Sequence, residues 1–174
     1  SVTINDPTTV VNAMTANLGM SGANITKLTM TAGLFRLGTS GTEPLMDGLY
    51  QISGGTVEFG YDGITPQNIK GGNTHLYQNI IVTGNSVYNS NTNIHLNPNG
   101  TFTIKDTGVF TINSECIFGA GTAANPQTFT MESGAVMNVG NELGFYGPLS
   151  GLNSPAVRDN IENVVLQPNS TINY

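Results

Sequence analysis

Tyr50-Gln51-Ile52-Ser53-Gly54-Gly55-Thr56-Val57-Glu58-Phe59 is the stretch that decides the fold. Tyr50 and Ile52 alternate with polar residues before the Gly-Gly pair, and Val57 and Phe59 do so after it. Period-2 alternation on both sides of residues that tolerate φ > 0 describes two short strands meeting at a bend. Alone, the stretch reads as a hairpin. Its recurrence changes the reading. Leu28, Met30, Phe35 and Leu37 repeat the spacing around Ala32-Gly33. Ile80, Val82 and Val87 repeat it around Gly84-Asn85, with Asn89 in the last inward position. Three later copies carry a bend one residue longer: Phe102, Ile104, Phe110, Ile112; Phe129, Met131, Met137, Val139; and Val164, Leu166, Ile172, Tyr174. The six copies start at 28, 50, 80, 102, 129 and 164, in steps of 22, 30, 22, 27 and 35 residues.

Further apolar segments lie between these copies: Ile69, Ile94 with Leu96, Ile117, and Leu143 with Phe145. Each turn therefore reads as three strands. A repeat of this length built from period-2 strands predicts an all-β solenoid, a parallel β-helix of about six three-strand turns, right-handed by the general preference for such crossovers. One turn cannot bury its apolar face, whereas stacked turns about 4.8 Å apart can. The predicted inward columns are Leu28, Tyr50, Ile80, Phe102, Phe129, Val164; Met30, Ile52, Val82, Ile104, Met131, Leu166; and Phe35, Val57, Val87, Phe110, Met137, Ile172. The competing all-β arrangement is a sandwich, but its hairpin signals, Asp62-Gly63 and Asn99-Gly100, do not recur in phase. Excursions near 5–24, 38–48 and 140–163 read as insertions, where solenoids place binding loops. Two of them carry helix signals. Asp6-Pro7 with Val10, Val11 and Met14 predicts a short helix over about 7–15, and Ser154-Pro155 with Val157 and Ile161 predicts another.

Composition agrees with strands and turns. Charged residues are 9%, against about 25% in typical soluble proteins, and Asn and Thr are about as frequent as the 22 glycines. Uncharged polar groups therefore do the solubilising. The net charge is −6, and Lys27, Arg36, Lys70, Lys105 and Arg158 are scattered, which excludes a basic patch for nucleic acid. The single Cys116 permits no internal disulfide and reads as a small buried apolar residue. No apolar run approaches the roughly 20 residues of a membrane helix. The chain opens and closes inside alternating segments, so residues 1–174 read as one solenoid module of a longer chain.

Parallel β-helices also host carbohydrate-active enzymes, which need paired carboxylates about 5–9 Å apart or acids with a cation. In the predicted register no two of the acids share an outward column in adjacent turns, and Glu58 falls beside Arg36 as a cross-strand charge pair. Lys105-Asp106 is isolated at a corner. His75 and His95 lack further ligands at metal-binding spacing and read as surface or strand-edge residues. No catalytic, metal or cofactor-binding residue is assigned. Asn24, Asn99 and Asn169 match the glycosylation pattern, as chance allows in a chain this rich in Asn and Thr. The outward set Thr29, Gln51, Ile81, Thr103, Thr130 and Val165 is too interrupted for a flat Thr face of the ice-binding kind.

Gly54–Phe59, then Gln67-Asn68-Ile69, then Tyr77-Gln78-Asn79-Ile80 and Thr83-Gly84, follow in order a degenerate unit found in large secreted surface proteins of gliding, Bacteroidota-type bacteria, and the stretch resembles that unit over about 30 residues. Elsewhere the likeness is one of style, and the larger insertions depart from it. The resemblance implies export by the type 9 secretion system, an extracellular or cell-surface location, and a role as adhesin or gliding-motility filament. It supplies no catalytic residues. The resulting expectation is a non-catalytic structural or adhesive module, with neighbouring modules of the same chain, and glycans or surfaces, as partners. The alternative is a β-helix polysaccharide lyase or glycoside hydrolase with its site in an insertion.

Overall fold

The computed structural model describes residues 2–13, 27–38, 41–42, 49–89, 92–119, 124–148 and 154–174. It is an all-β solenoid in which every strand pairing is parallel. Its turns present three faces. Face one stacks β1 (Val2–Ile4), the first parts of β3 (Lys27–Leu37), β5 (Leu49–Phe59), β7 (His75–Val82) and β9 (Ile94–Ile104), then β11 (Ile117–Gly119), β15 (Val157–Arg158) and β14 (Tyr146–Gly147). Face two stacks β2 (Val10–Ala13), the second parts of β3, β5, β7 and β9, then β12 (Thr128–Met131) and β16 (Asn163–Leu166). Face three is a separate six-stranded sheet: β4 (Gly41–Thr42), β6 (Gln67–Asn68), β8 (Val87–Asn89), β10 (Val109–Ile112), β13 (Val136–Val139) and β17 (Thr171–Asn173).

Alternation sends every second side chain inward, and stacking turns these into continuous columns. On face one the column is Leu28, Tyr50, His75, and then Ile94, Ile117, Val157. On face two it is Val11, Phe35, Val57, Ile80, Phe102, Phe129, Val164. On face three it is Gln67, Val87, Phe110, Met137, Ile172. Phe102 lies nearly parallel over Phe129 at 5.8 Å, and Phe110 meets Phe102 at 5.0 Å across the interior. Asn89 occupies its inward position fully buried, its amide donating to the carbonyls of Thr92 (3.0 Å) and Ile69 (3.4 Å).

The predicted columns break at one place. Ile80 stacks on Val57 and not on Tyr50, Val82 on Phe59 and not on Ile52, and Val87 on Gln67 and not on Val57. The bends in β3 and β5 join face one to face two, whereas the bends of the four later copies, starting with Gly84-Asn85, join face two to face three. Both obey the same in-out rule around a bend, so they look alike in sequence. What separates them is the extra segment His75-Leu76-Tyr77, whose inward residues are amphipathic. Tyr77 is fully buried and donates its hydroxyl to the Lys70 carbonyl at 2.7 Å; His75 packs edge-on against Tyr50 at 4.4 Å.

Neither predicted helix forms. Val10–Ala13 is strand β2, paired with Leu34–Leu37, and residues 14–24 of that insertion lie outside the described residues. Asp6 still makes its capping bonds, since the Thr8 N–H and hydroxyl both donate to its Oδ1 at 2.7 Å, but the turn it closes leads into a strand. Hydrogen bonds from Thr8 hold the Asp6 carboxyl below its ordinary pKa. In the second case Ala156, Val157 and Ile161 all point inward, fully buried. Their backbone is used between turns: Val157 N–H donates to Phe145 O at 2.7 Å, and Ile117 N–H donates to Ala156 O at 2.8 Å. The i,i+4 spacing of Val157 and Ile161 comes from a turn closed by Ile161 N–H on Arg158 O at 2.9 Å.

Candidate functional site

Outward side chains form ladders as regular as the core. Face three presents Asn68, Tyr88, Thr111, Asn138 and Asn173 in register. Asn173 Nδ2 donates to Asn138 Oδ1 at 2.9 Å, and Asn138 Nδ2 donates to Thr111 Oγ1 at 3.1 Å. Face two presents Asn12, Arg36, Glu58, Ile81, Thr103, Thr130 and Val165. Thr29 and Gln51 therefore belong to face one, and the interrupted set expected as one column is divided between two faces. Face one continues outward through Leu76, His95 and Phe118.

The expected Arg36–Glu58 pair is present, with Arg36 Nε donating to Glu58 Oε2 at 3.0 Å. Glu58 Oε1 also accepts from the Thr83 hydroxyl at 3.2 Å. Lys105 does not pair with Asp106; its Nζ reaches Glu132 Oε1 one turn away, at 3.5 Å. Around these residues face two dips into an open groove of about 520 Å³, lined by Pro7, Gly33, Leu34, Arg36, Thr56, Glu58, Ile81, Thr83 and Lys105. Gly33 shapes its edge: a Cβ there would stand 2.9 Å from the carbonyl oxygens of Asp6 and Thr9. Spacing alone pairs Arg36 with Glu58 but does not bring Lys105 to them. The missing signal was the His75–Tyr77 segment, which sets the register on which Glu58 meets Ile81 and Thr83 approaches Glu58.

Of the two histidines expected at the surface or a strand edge, His75 departs from that position and His95 keeps it. His75 is inward and 7% exposed. His95 lies on the outer face, its ring tilted by 58° against Phe118 at 3.8 Å, and Arg158 approaches the Phe118 ring at 5.3 Å; burial lowers the His95 pKa. Cys116 is buried, as read, and burial raises its thiol pKa. Of the acids, Asp62 Oδ1 accepts from Asn85 N–H at 2.8 Å and Glu162 Oε2 from Gln127 N–H at 2.9 Å, so both serve corners. Glu43 and Asp47 lie outside the described residues, as does Asn24. Among the described residues no three His, Cys, Asp or Glu side chains gather closely enough to hold a metal ion. Asn99 and Asn169 sit exposed at corners with φ of 59° and 64°. Among the described residues, no helix is long and apolar enough to cross a membrane. Comparison with protein-family models, curated proteins and solved structures finds no match.

Proposed function

We propose that this chain is a non-catalytic structural and adhesive module of a bacterial surface protein, secreted and displayed outside the cell, with type 9 export and a gliding or adhesive filament as its setting. The observation that carries the reading is the coupling of a rigid apolar coil to outward ladders of Asn, Thr and Tyr held in register by hydrogen bonds between turns. Such ladders offer evenly spaced, individually weak donors and acceptors, which suits attachment by many contacts at once. The partners would be glycans or surfaces, and neighbouring modules of the same chain or filament. In the competing enzymatic reading, a lyase or hydrolase would draw its carboxylates from an insertion.

The test is adhesion against turnover. Beads coated with the module should be retained on polysaccharide-coated surfaces, with retention reduced when Thr111, Asn138 and Asn173 are replaced by alanine. The same protein incubated with those polysaccharides should release no new reducing or unsaturated ends. Sustained release of such ends would replace this reading with the enzymatic one. Absence of retention on every surface would remove the adhesive part.

A further inference from the structure

We infer that the face-two groove is a saccharide subsite, in which Arg36 and Glu58 together bind adjacent hydroxyl groups of a neutral sugar. The inference rests on the adhesive reading and narrows it to a place and a ligand class. Glu58 takes the Nε–H of Arg36, and among the described residues nothing else takes a hydrogen bond from that guanidinium. The terminal Nη groups are thus left as oriented donors. Each Glu58 oxygen accepts one bond, from Arg36 or from Thr83, and keeps further lone pairs. A fixed donor fork therefore stands beside a fixed acceptor. Two vicinal hydroxyls match it: one accepts from the guanidinium while its neighbour donates to the carboxylate. Arg36 is 41% exposed and Glu58 14%, so the pair is reachable yet sheltered enough for its geometry to hold.

Ile81 supplies the second observation. It is an apolar side chain directed outward, immediately beside Glu58 in the ladder and flanked by Arg, Glu and Thr, with Val165 the next apolar outward residue three turns further on. With Leu34 and Pro7 it gives the groove an apolar surface suited to the C–H side of a pyranose ring. The volume falls within the roughly 300–1,000 Å³ of small-ligand sites. The charges favour a neutral ligand over an anionic one. Arg36 is already paired with Glu58 and Lys105 with Glu132, so neither cation is left without a carboxylate to draw an anionic ligand.

Neutral gluco-, manno-, galacto- and xylo-oligosaccharides, each at millimolar concentration, would be titrated into the labelled protein. The Ile81 methyl and Arg36 Nε–H resonances would be followed by NMR. At least one series should move both, and Arg36→Ala and Glu58→Gln should each weaken it by about tenfold without moving the melting temperature appreciably. Uronate oligosaccharides should bind more weakly than the neutral series and gain in Glu58→Gln. The inference is overturned if no neutral series moves these resonances, or if uronates bind the native groove more tightly. If beads adhere and only the face-three alanine variants release them, the adhesive reading stands and the groove assignment falls. If nothing adheres and nothing titrates, both fall.

Discussion

Gly54 shows how little freedom single positions have where the coil bends. A Cβ built on it would lie 2.0 Å from the Thr31 carbonyl oxygen of the turn beneath, a backbone atom that cannot swing aside. Gly55, at φ +78°, would bring a Cβ within 2.6 Å of Ala32 O. The two glycines are thus required for different reasons, close approach at the first and backbone conformation as well at the second. Gly54→Ala should destabilise the protein by about 1–3 kcal/mol, as overpacking does. Ser53→Ala, at a neighbouring exposed position, should change stability by less than about 0.5 kcal/mol. Urea denaturation of both variants measures this, and equal stabilities would mean the bend relaxes more readily than its geometry allows.

At the scale of elements, the last turn departs furthest from the regular coil. On face one β15 lies between β11 and β14, although β14 precedes it in the chain. Only Ile117 pairs with Val157 across this junction. Asn160 extends the short pairing with its side chain: Gly119 N–H donates to Oδ1 at 3.3 Å, and Nδ2 donates to Gly119 O at 2.7 Å. One side-chain amide thereby does what a backbone amide would do in a longer strand. Asn160→Ala should cost about 1–3 kcal/mol, since it leaves both Gly119 groups without their partner, whereas Asn163→Ala, whose bond to Thr128 is long and exposed, should cost far less. Comparable losses in both would show that water replaces Asn160.

This turn also marks where the sequence stops being readable. Alternation around Gly33, Gly55 and Gly84 specifies strands, bends and the inside of the coil, because period 2 is a local property. It does not say which face a strand joins. Face assignment depended on His75 and Tyr77 occupying inward positions with polar atoms, and on Asp6 and the 155–162 segment using helix-capping residues to close turns between strands. Of the groove, the Arg36–Glu58 pair was legible because those residues are equivalent in consecutive copies. Lys105 and Thr83 were not, because their approach depends on the face assignment.

For the whole molecule, stability is distributed along the stack. Nearly every contact is between adjacent turns, so a solenoid behaves as a row of coupled units, each interior one held on two sides. β5, β7 and β9 pair on both sides over long registers. β16 and β17 each pair on one side only, with β12 and β13, and Leu166 and Tyr174 remain 47% and 83% exposed. Opening the final turn on faces two and three breaks one interface, whereas opening β7 breaks two and uncovers Tyr77, Ile80 and Val82, all fully buried. In a sample of residues 1–174 alone, native-state hydrogen exchange should therefore grade along the coil. The bonded amides of Gln167 and Thr171, which donate to Met131 O and Ala135 O at 2.9 Å, should exchange fastest among the ladder amides. Those of Lys105 and Thr83, bonded at 2.9 Å within the middle turns, should be the slowest, approaching the global unfolding limit. A second sample carrying Leu166→Ala should accelerate exchange at Gln167 and Thr171 and leave the middle turns unchanged. Uniform acceleration along the chain would instead make the coil one cooperative unit, and a local cause for the exposed end would have to be sought in Leu166 and Tyr174 themselves.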